Sequence, residues 1–227
     1  PAELVEALYV SEDCTADLSF FQKKAVERVE KSIFRNLSDT VTPQGIMAVV
    51  HQPRWNPGDI LPETSGQAAL SCDPFDAGDN PVKSTAHRIL LLDGIRDPGN
   101  LGTMIRTAEA AGVAAVVMSP DCVDLYNPKV IRSTMGSIFR VPVVTADLVS
   151  AIHRLQAGGR RVYGTSLSAE RSYREVDLSE AVIVIGSEAN GISDAVSQAV
   201  TDHIRIPMAG QVESLNAAVS AAILMFC

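Results

Sequence analysis

The feature that most constrains the fold is a series of short apolar runs alternating with segments of helical character. Residues 87–92 (HRILLL), 114–118 (AAVVM), 161–165 (RVYGT) and 181–185 (AVIVI) are largely apolar, as expected for strands of a parallel sheet covered on both faces. A shorter run lies at 141–145. Between them fall helical stretches at 101–111, stopped by Gly112, and at 127–139, opened by Asn127-Pro128. Another runs over 148–157 and ends at Gly158-Gly159, and a loop and helix cover 190–200. This alternation predicts an α/β domain over 86–227, a mostly parallel sheet with helices on both faces.

The series closes with IRIPMAGQVESLNAAVSAAILMF at 204–226. A short strand ends at Pro207, which has no N–H for a sheet ladder. After the loop, Ser214 and Asn216 precede a helix that is apolar almost all round. Both residue types cap helix starts well. An all-apolar helix predicts burial, with polar groups gathered at its mouth where a small ligand could sit. An ordinary strand–loop–helix packing unit is the competing reading.

Upstream the pattern changes. Residues 1–52 read as a small α/β unit: a strand around 8–10, an amphipathic helix over 20–34, and a buried strand at 45–50. Residues 53–85 form a linker rich in Pro, Gly and Asp, with Trp55 as a docking candidate. The 227 residues are 46% hydrophobic and 20% charged, enough for a real core. The formal net charge of −8 argues against a nonspecific polyanion binder. It is concentrated in residues 1–84, where 7 Lys and Arg face 13 Asp and Glu. The remainder is close to neutral and leaves room for a local basic face.

Cys14, Cys72, Cys122 and Cys227 have no paired spacing, so reduced thiols in the cytoplasm are the expectation. There is no HExxH and no histidine cluster, so no metal is expected. The apolar tail is too short to span a bilayer, and the first residues do not have the pattern of a signal peptide. The start at Pro1 and the stop inside an apolar helix suggest a chain missing residues at one or both ends.

Ligands of open α/β sheets bind beyond the carboxyl ends of the strands. Three polar loops occupy such places: 97–102 (DPGNLG), 186–191 (GSEANG) and 208–216. Arg106 follows the first loop. It reads either as a surface salt bridge with Glu109, three residues on, or as a guanidinium aimed at a phosphate or a developing oxyanion.

Taken together these loops resemble a known family. DPGNLGTMIRTAEAAGV (97–113), VIVIGSEANGIS (182–193) and IRIPMAGQVESLNAAVSAAIL (204–224) are similar, in order and spacing, to the three motifs of the SpoU/TrmH family of the SPOUT superfamily. NPKVIRSTMGSIFRVPV (127–143) also resembles it. These are RNA 2′-O-ribose methyltransferases that use S-adenosyl-L-methionine.

The resemblance implies a C-terminal trefoil knot, a homodimer, and a ribosomal or transfer RNA substrate. It assigns Asn100, Arg106, Glu188, Ser214 and Asn216 as catalytic positions. It puts the cofactor against Thr165, Ser166, Gly186, Glu188, Ile206, Met208, Ser214, Leu215 and Asn216. Arg96, Arg106, Arg132 and Arg140 are the expected RNA contacts, and residues 1–52 resemble part of the RNA-binding domain that often precedes the catalytic one. Ala189 stands where many members have glycine. The alternative is a non-catalytic RNA-binding or ribosome-assembly dimer that keeps the SPOUT fold.

Overall fold

A computed structural model describes residues 4–21, 25–38, 40–61 and 88–227. The chain divides into two units, Pro1–Arg54 and Trp55–Cys227. Most of the Pro/Gly/Asp-rich stretch, residues 62–85, lies outside the described residues.

The first unit is a three-stranded sheet. Strand β1 (Val5–Ser11) is central, with β2 (Ala25–Val29) parallel to it on one side and β3 (Ile46–Val50) antiparallel on the other. Helix α1 (Lys31–Leu37) follows β2. The helix expected over 20–34 is therefore a 3₁₀ turn at Ser19–Phe21, a strand, and then α1. Ala-Val-Glu-Arg-Val suits period two as well as helical spacing, and pairing along β1 decides the matter. The strand β3 is not buried as expected. It is an edge strand, and Ile46 and Val49 are exposed.

The second unit begins with α2 (Pro57–Ile60), capped by the Asn56 side chain, which accepts from the Gly58 N–H at 3.0 Å. Ile60 and Leu61 are buried and Trp55 packs with them, so this part of the stretch expected to be a linker belongs to the core. The strands follow in order: β4 (Ile89–Asp93), β5 (Ala115–Met118), β6 (Val143–Thr145), β7 (Val162–Thr165), β8 (Arg171–Ser172), β9 (Val182–Gly186) and β10 (Asp202–Arg205). They form one sheet in the order β6-β5-β4-β9-β7-β10-β8, with every pair parallel.

Period two inside the apolar runs divides the core. Leu90 and Leu92 face α3 (Pro98–Ala110), α4 (Pro128–Thr134) and α7 (Ala217–Met225). Ile89 and Leu91 face α2, α5 (Leu148–Ala157) and α6 (Asp194–Ala199). Each buried leucine contributes about 1.5–3 kcal/mol of transfer free energy. Helix α3 and helix α4 meet at Gly102, where a Cβ would lie 2.4 Å from the Ser133 Cβ.

Two helices differ from expectation. The helix expected over 127–139 stops at Thr134, because Met135 and Gly136 both turn left-handed, at φ 51° and 87°. A 3₁₀ turn at Ser137–Phe139 follows. Helix α7 packs on α3 and β9 along one side only. Its other side leaves Val219 47% exposed, and Phe226 just beyond it 63% exposed. The Arg88 guanidinium fixes the far end of α7, donating to the Met225 and Cys227 carbonyls and, through Nε, to Leu178 O at 2.8 Å.

Candidate active site

In an all-parallel sheet every strand ends at the same edge, and there the loops after β4, β7, β9 and β10 converge. The first is shorter than the sequence suggests. Asp97 caps α3 by accepting from the Asn100 N–H at 2.7 Å, and Pro98 occupies the first turn. Asn100 is thus carried by the helix itself, not by the loop before it.

The β9 loop turns back on itself. Ser187 and Gly191 exchange backbone hydrogen bonds, with Ser187 N to Gly191 O at 3.1 Å and Gly191 N to Ser187 O at 2.8 Å. A Cβ on Gly186 would fall 2.0 Å from the Gly191 carbonyl carbon, so only glycine fits there. Gly191 has φ 67°. Ala189 has no positive φ, so its methyl group brings no backbone strain.

Glu188 is the meeting point of the three motifs. It accepts from the Asn100 side-chain amide. The Asn216 Nδ2 lies 3.0 Å from Asn100 Oδ1 and 3.5 Å from Glu188 Oε1, and the Ala217 N–H reaches the same carboxylate at 3.4 Å. With its other amide atom Asn216 caps α7, accepting from the Ala218 and Val219 N–H groups at 2.9 and 3.2 Å. One carboxylate therefore ties the starts of α3 and α7 to the β9 loop.

Beside this junction lies an open cavity of about 560 Å³. Eight of the nine expected cofactor positions line it: Thr165, Ser166, Gly186, Glu188, Ile206, Met208, Ser214 and Leu215. Asn216, the ninth, stands just behind Glu188. Thr165 Oγ1 donates to Val184 O at 3.0 Å, joining β7 to β9 at the cavity wall. Sequence reading missed Leu167, Ile192, Ser197, Arg205 and Glu213, which also line it. Ile192, Arg205 and Glu213 lie inside the motif stretches quoted above, while nothing in the local sequence of Leu167 and Ser197 distinguishes them. Asp97 was findable, since Asp before Pro is a helix-start signal.

The arginines separate into two kinds. Among the described residues the guanidiniums of Arg96, Arg106 and Arg132 have no hydrogen-bond or ion-pair partner, and all three are exposed. Arg140 is not free as expected. It grips Glu109 with two nitrogens, Nη2 to Oε2 at 2.9 Å. The Arg140 guanidinium holds the Glu109 carboxyl below the usual carboxylate range, and the carboxylate raises Arg140 in return. Among the described residues no salt bridge joins Arg106 to Glu109, which leaves Arg106 available. Burial pushes the Cys122 thiol up, away from reactivity. Among the described residues no group of three or more His, Cys, Asp or Glu could hold a metal ion, and no helix is long and apolar enough to cross a membrane.

Residues 87–226 match the profile of the SpoU rRNA Methylase family. The chain belongs to this family. It is 38% identical over 199 residues to the 23S rRNA (guanosine(2553)-2′-O)-methyltransferase RlmP of Bacillus subtilis (strain 168), an alignment covering 87% of this chain and 70% of that enzyme. Among solved structures, an AdoMet-bound rRNA methyltransferase from Sinorhizobium meliloti superposes with a TM-score of 0.78 at 26% identity, covering 98% of this chain and 78% of that one. An RNA 2′-O ribose methyltransferase superposes with a TM-score of 0.71 at 28% identity, over 98% and 79%. Asn100, Glu188 and Asn216, which lie 116 positions apart at the extremes, all fall within the matched residues.

Proposed function

We propose that the chain is a cytoplasmic S-adenosyl-L-methionine-dependent RNA 2′-O-ribose methyltransferase that acts on ribosomal or transfer RNA. The observation that carries this reading is the Asn100–Glu188–Asn216 junction at the lip of the cavity, with a free Arg106 on the helix that bears Asn100. The relatives named above support it.

The cavity suits the cofactor. Its volume lies within the usual range for small-molecule sites, about 300–1,000 Å³. Ile185, Ile206, Met208 and Leu215 offer apolar walls for a nucleoside, and the Thr165, Ser166 and Ser214 hydroxyls are at hand for its polar edges. Glu188 and Glu213 supply negative charge for a cationic ligand. After β10 the chain runs into α7, which packs on α3 and β9, and this is the path that the expected trefoil knot would take.

When bound, S-adenosyl-L-methionine supplies a methyl carbon already activated by a positively charged sulfur. The protein's task is then placement of the ribose 2′-oxygen in line with it. Asn100, held by Glu188 and Asn216, would orient the ribose or Arg106. A guanidinium stays protonated in proteins, so Arg106 serves as a donor and not as a base. It would hold the adjoining phosphate and stabilise the 2′-oxygen as its proton leaves for a phosphate oxygen or water. Ser214 would set the closing loop.

Arg96 and Arg132 would contact RNA phosphates, and Arg140 is assigned instead to Glu109. The half-exposed apolar side of α7 supports the expected homodimer. RNA affinity should fall steeply as salt rises, and an affinity indifferent to salt would contradict the phosphate contacts. The decisive variant is Arg106→Ala, measured beside Arg106→Lys. The alanine chain should lose about 10²–10³ in kcat, with cofactor affinity unchanged and partial recovery in the lysine chain. Methylation at the normal rate by Arg106→Ala would remove this role.

A further inference from the structure

Asp93 is the one buried acid among the described residues, 7% exposed at the carboxyl end of β4. A carboxylate held out of water costs stability unless it is hydrogen-bonded. Nothing in the mechanism above uses it, and it does not line the cavity. Its Oδ2 accepts from the Ser193 N–H at 2.6 Å.

Ser193 closes the loop that begins at Gly186, and Gly186 is the residue opposite Asp93 in the β4–β9 register. Ser193 is also the cap position of α6, and its own side chain makes no capping bond. The strand β4 thus holds both ends of the loop. The sheet ladder holds one end, and the Asp93 carboxylate holds the other. Between those anchors every residue from Gly186 to Ile192 borders the cavity.

We infer that Asp93 is a positioning residue for the cofactor cavity, fixing through the Ser193 amide the loop that presents Glu188 to Asn100 and Asn216. A carboxylate is the suitable acceptor, because hydrogen bonds to a charged oxygen are about twice as strong as neutral ones. The inference rests on the proposed binding of S-adenosyl-L-methionine in this cavity.

Calorimetry with S-adenosyl-L-methionine on the wild-type chain, Asp93→Ala and Asp93→Asn tests it, with amide hydrogen exchange and kcat at saturating cofactor measured alongside. Removing the charged acceptor should weaken cofactor binding about tenfold or more in Asp93→Ala. Exchange at Ser187, Gly191 and Ser193 should quicken, and kcat should fall by a smaller factor than the affinity does. Asparagine keeps the shape and a neutral oxygen, so Asp93→Asn should recover most of the affinity, to within about threefold of wild type. Wild-type affinity and wild-type exchange in Asp93→Ala would overturn the inference, as would a fall in kcat with affinity unchanged. Should the alanine chain fail to fold, the asparagine chain decides: a small loss with faster Ser193 exchange supports the inference, and wild-type values for both overturn it. A wild-type chain that does not bind S-adenosyl-L-methionine would instead fail the proposed function itself.

Discussion

The two units bury their strands very differently. In Pro1–Arg54 a central strand carries the core through Leu8 and Val10, while both neighbours are edges and leave Val26, Ile46 and Val49 exposed. In Trp55–Cys227 every residue of β4, β5 and β9 is buried, because helices cover both faces. The second unit can therefore hold polar loops at fixed positions beyond its strand ends, which is what a site needs. All the described residues lining the cavity belong to it.

The largest effect that would sharpen this contrast is expected from Gly186→Ala. The new methyl group meets backbone atoms of Gly191 and Ile192 at 2.0–2.2 Å, which cannot move without opening the loop. Cofactor binding should fall by about a hundredfold or more, since overpacking against a fixed neighbour costs about 1–3 kcal/mol or above. Binding like wild type would show that the loop is not a rigid wall.

Next come the paired core truncations Leu91→Ala and Leu8→Ala. Both side chains are buried, at 0% and 1% exposure. Each should cost its own unit about 2–5 kcal/mol, read from thermal or denaturant melting. Only Leu91→Ala should lower the temperature at which cofactor binding is lost. Equal effects on binding would contradict a cavity whose described lining comes from the second unit.

The smallest effect concerns Glu109 and Arg140. Both side chains are about one third exposed, so the pair is worth less than about 1 kcal/mol at neutral pH. Glu109 has a depressed folded value, so its stabilisation is complete above the unfolded carboxylate pKa of about 4.3. It is lost as pH falls through the lower folded value. The stability gap between wild type and Arg140→Ala should accordingly close below about pH 4. A gap that persists in acid would mean that Arg140 acts through packing and not through charge.

Much of the second unit could be read from the sequence, since unbroken apolar runs with capped helices between them allow few folds. The meeting of Asn100, Glu188 and Asn216 followed from loops placed at strand ends and from the family motifs. The arginines could not be sorted in advance. Glu109 has Arg106 within reach along its own helix, yet it pairs with Arg140, and that choice is made by how the 3₁₀ turn at Ser137–Phe139 packs on α3. The strand β2 was misread because its residues satisfy two periods, and a partner distant in sequence decides between them. Asp93 gave no signal either. An acid at the end of an apolar strand looks like the first residue of a loop until Ser193, a hundred positions later, supplies its donor.

Ribose methylation leaves a chemical mark of its own. A 2′-O-methyl group blocks the hydroxyl that attacks the neighbouring phosphate in alkali, so the modified linkage survives hydrolysis. The most direct measurement is transfer of radiolabel from methyl-labelled S-adenosyl-L-methionine to ribosomal or transfer RNA, followed by alkaline digestion. Label confined to alkali-resistant dinucleotides, and absent with Arg106→Ala, is the predicted result. Label in single nucleotides would mean methylation of a base, and no label in either RNA class would contradict the assignment.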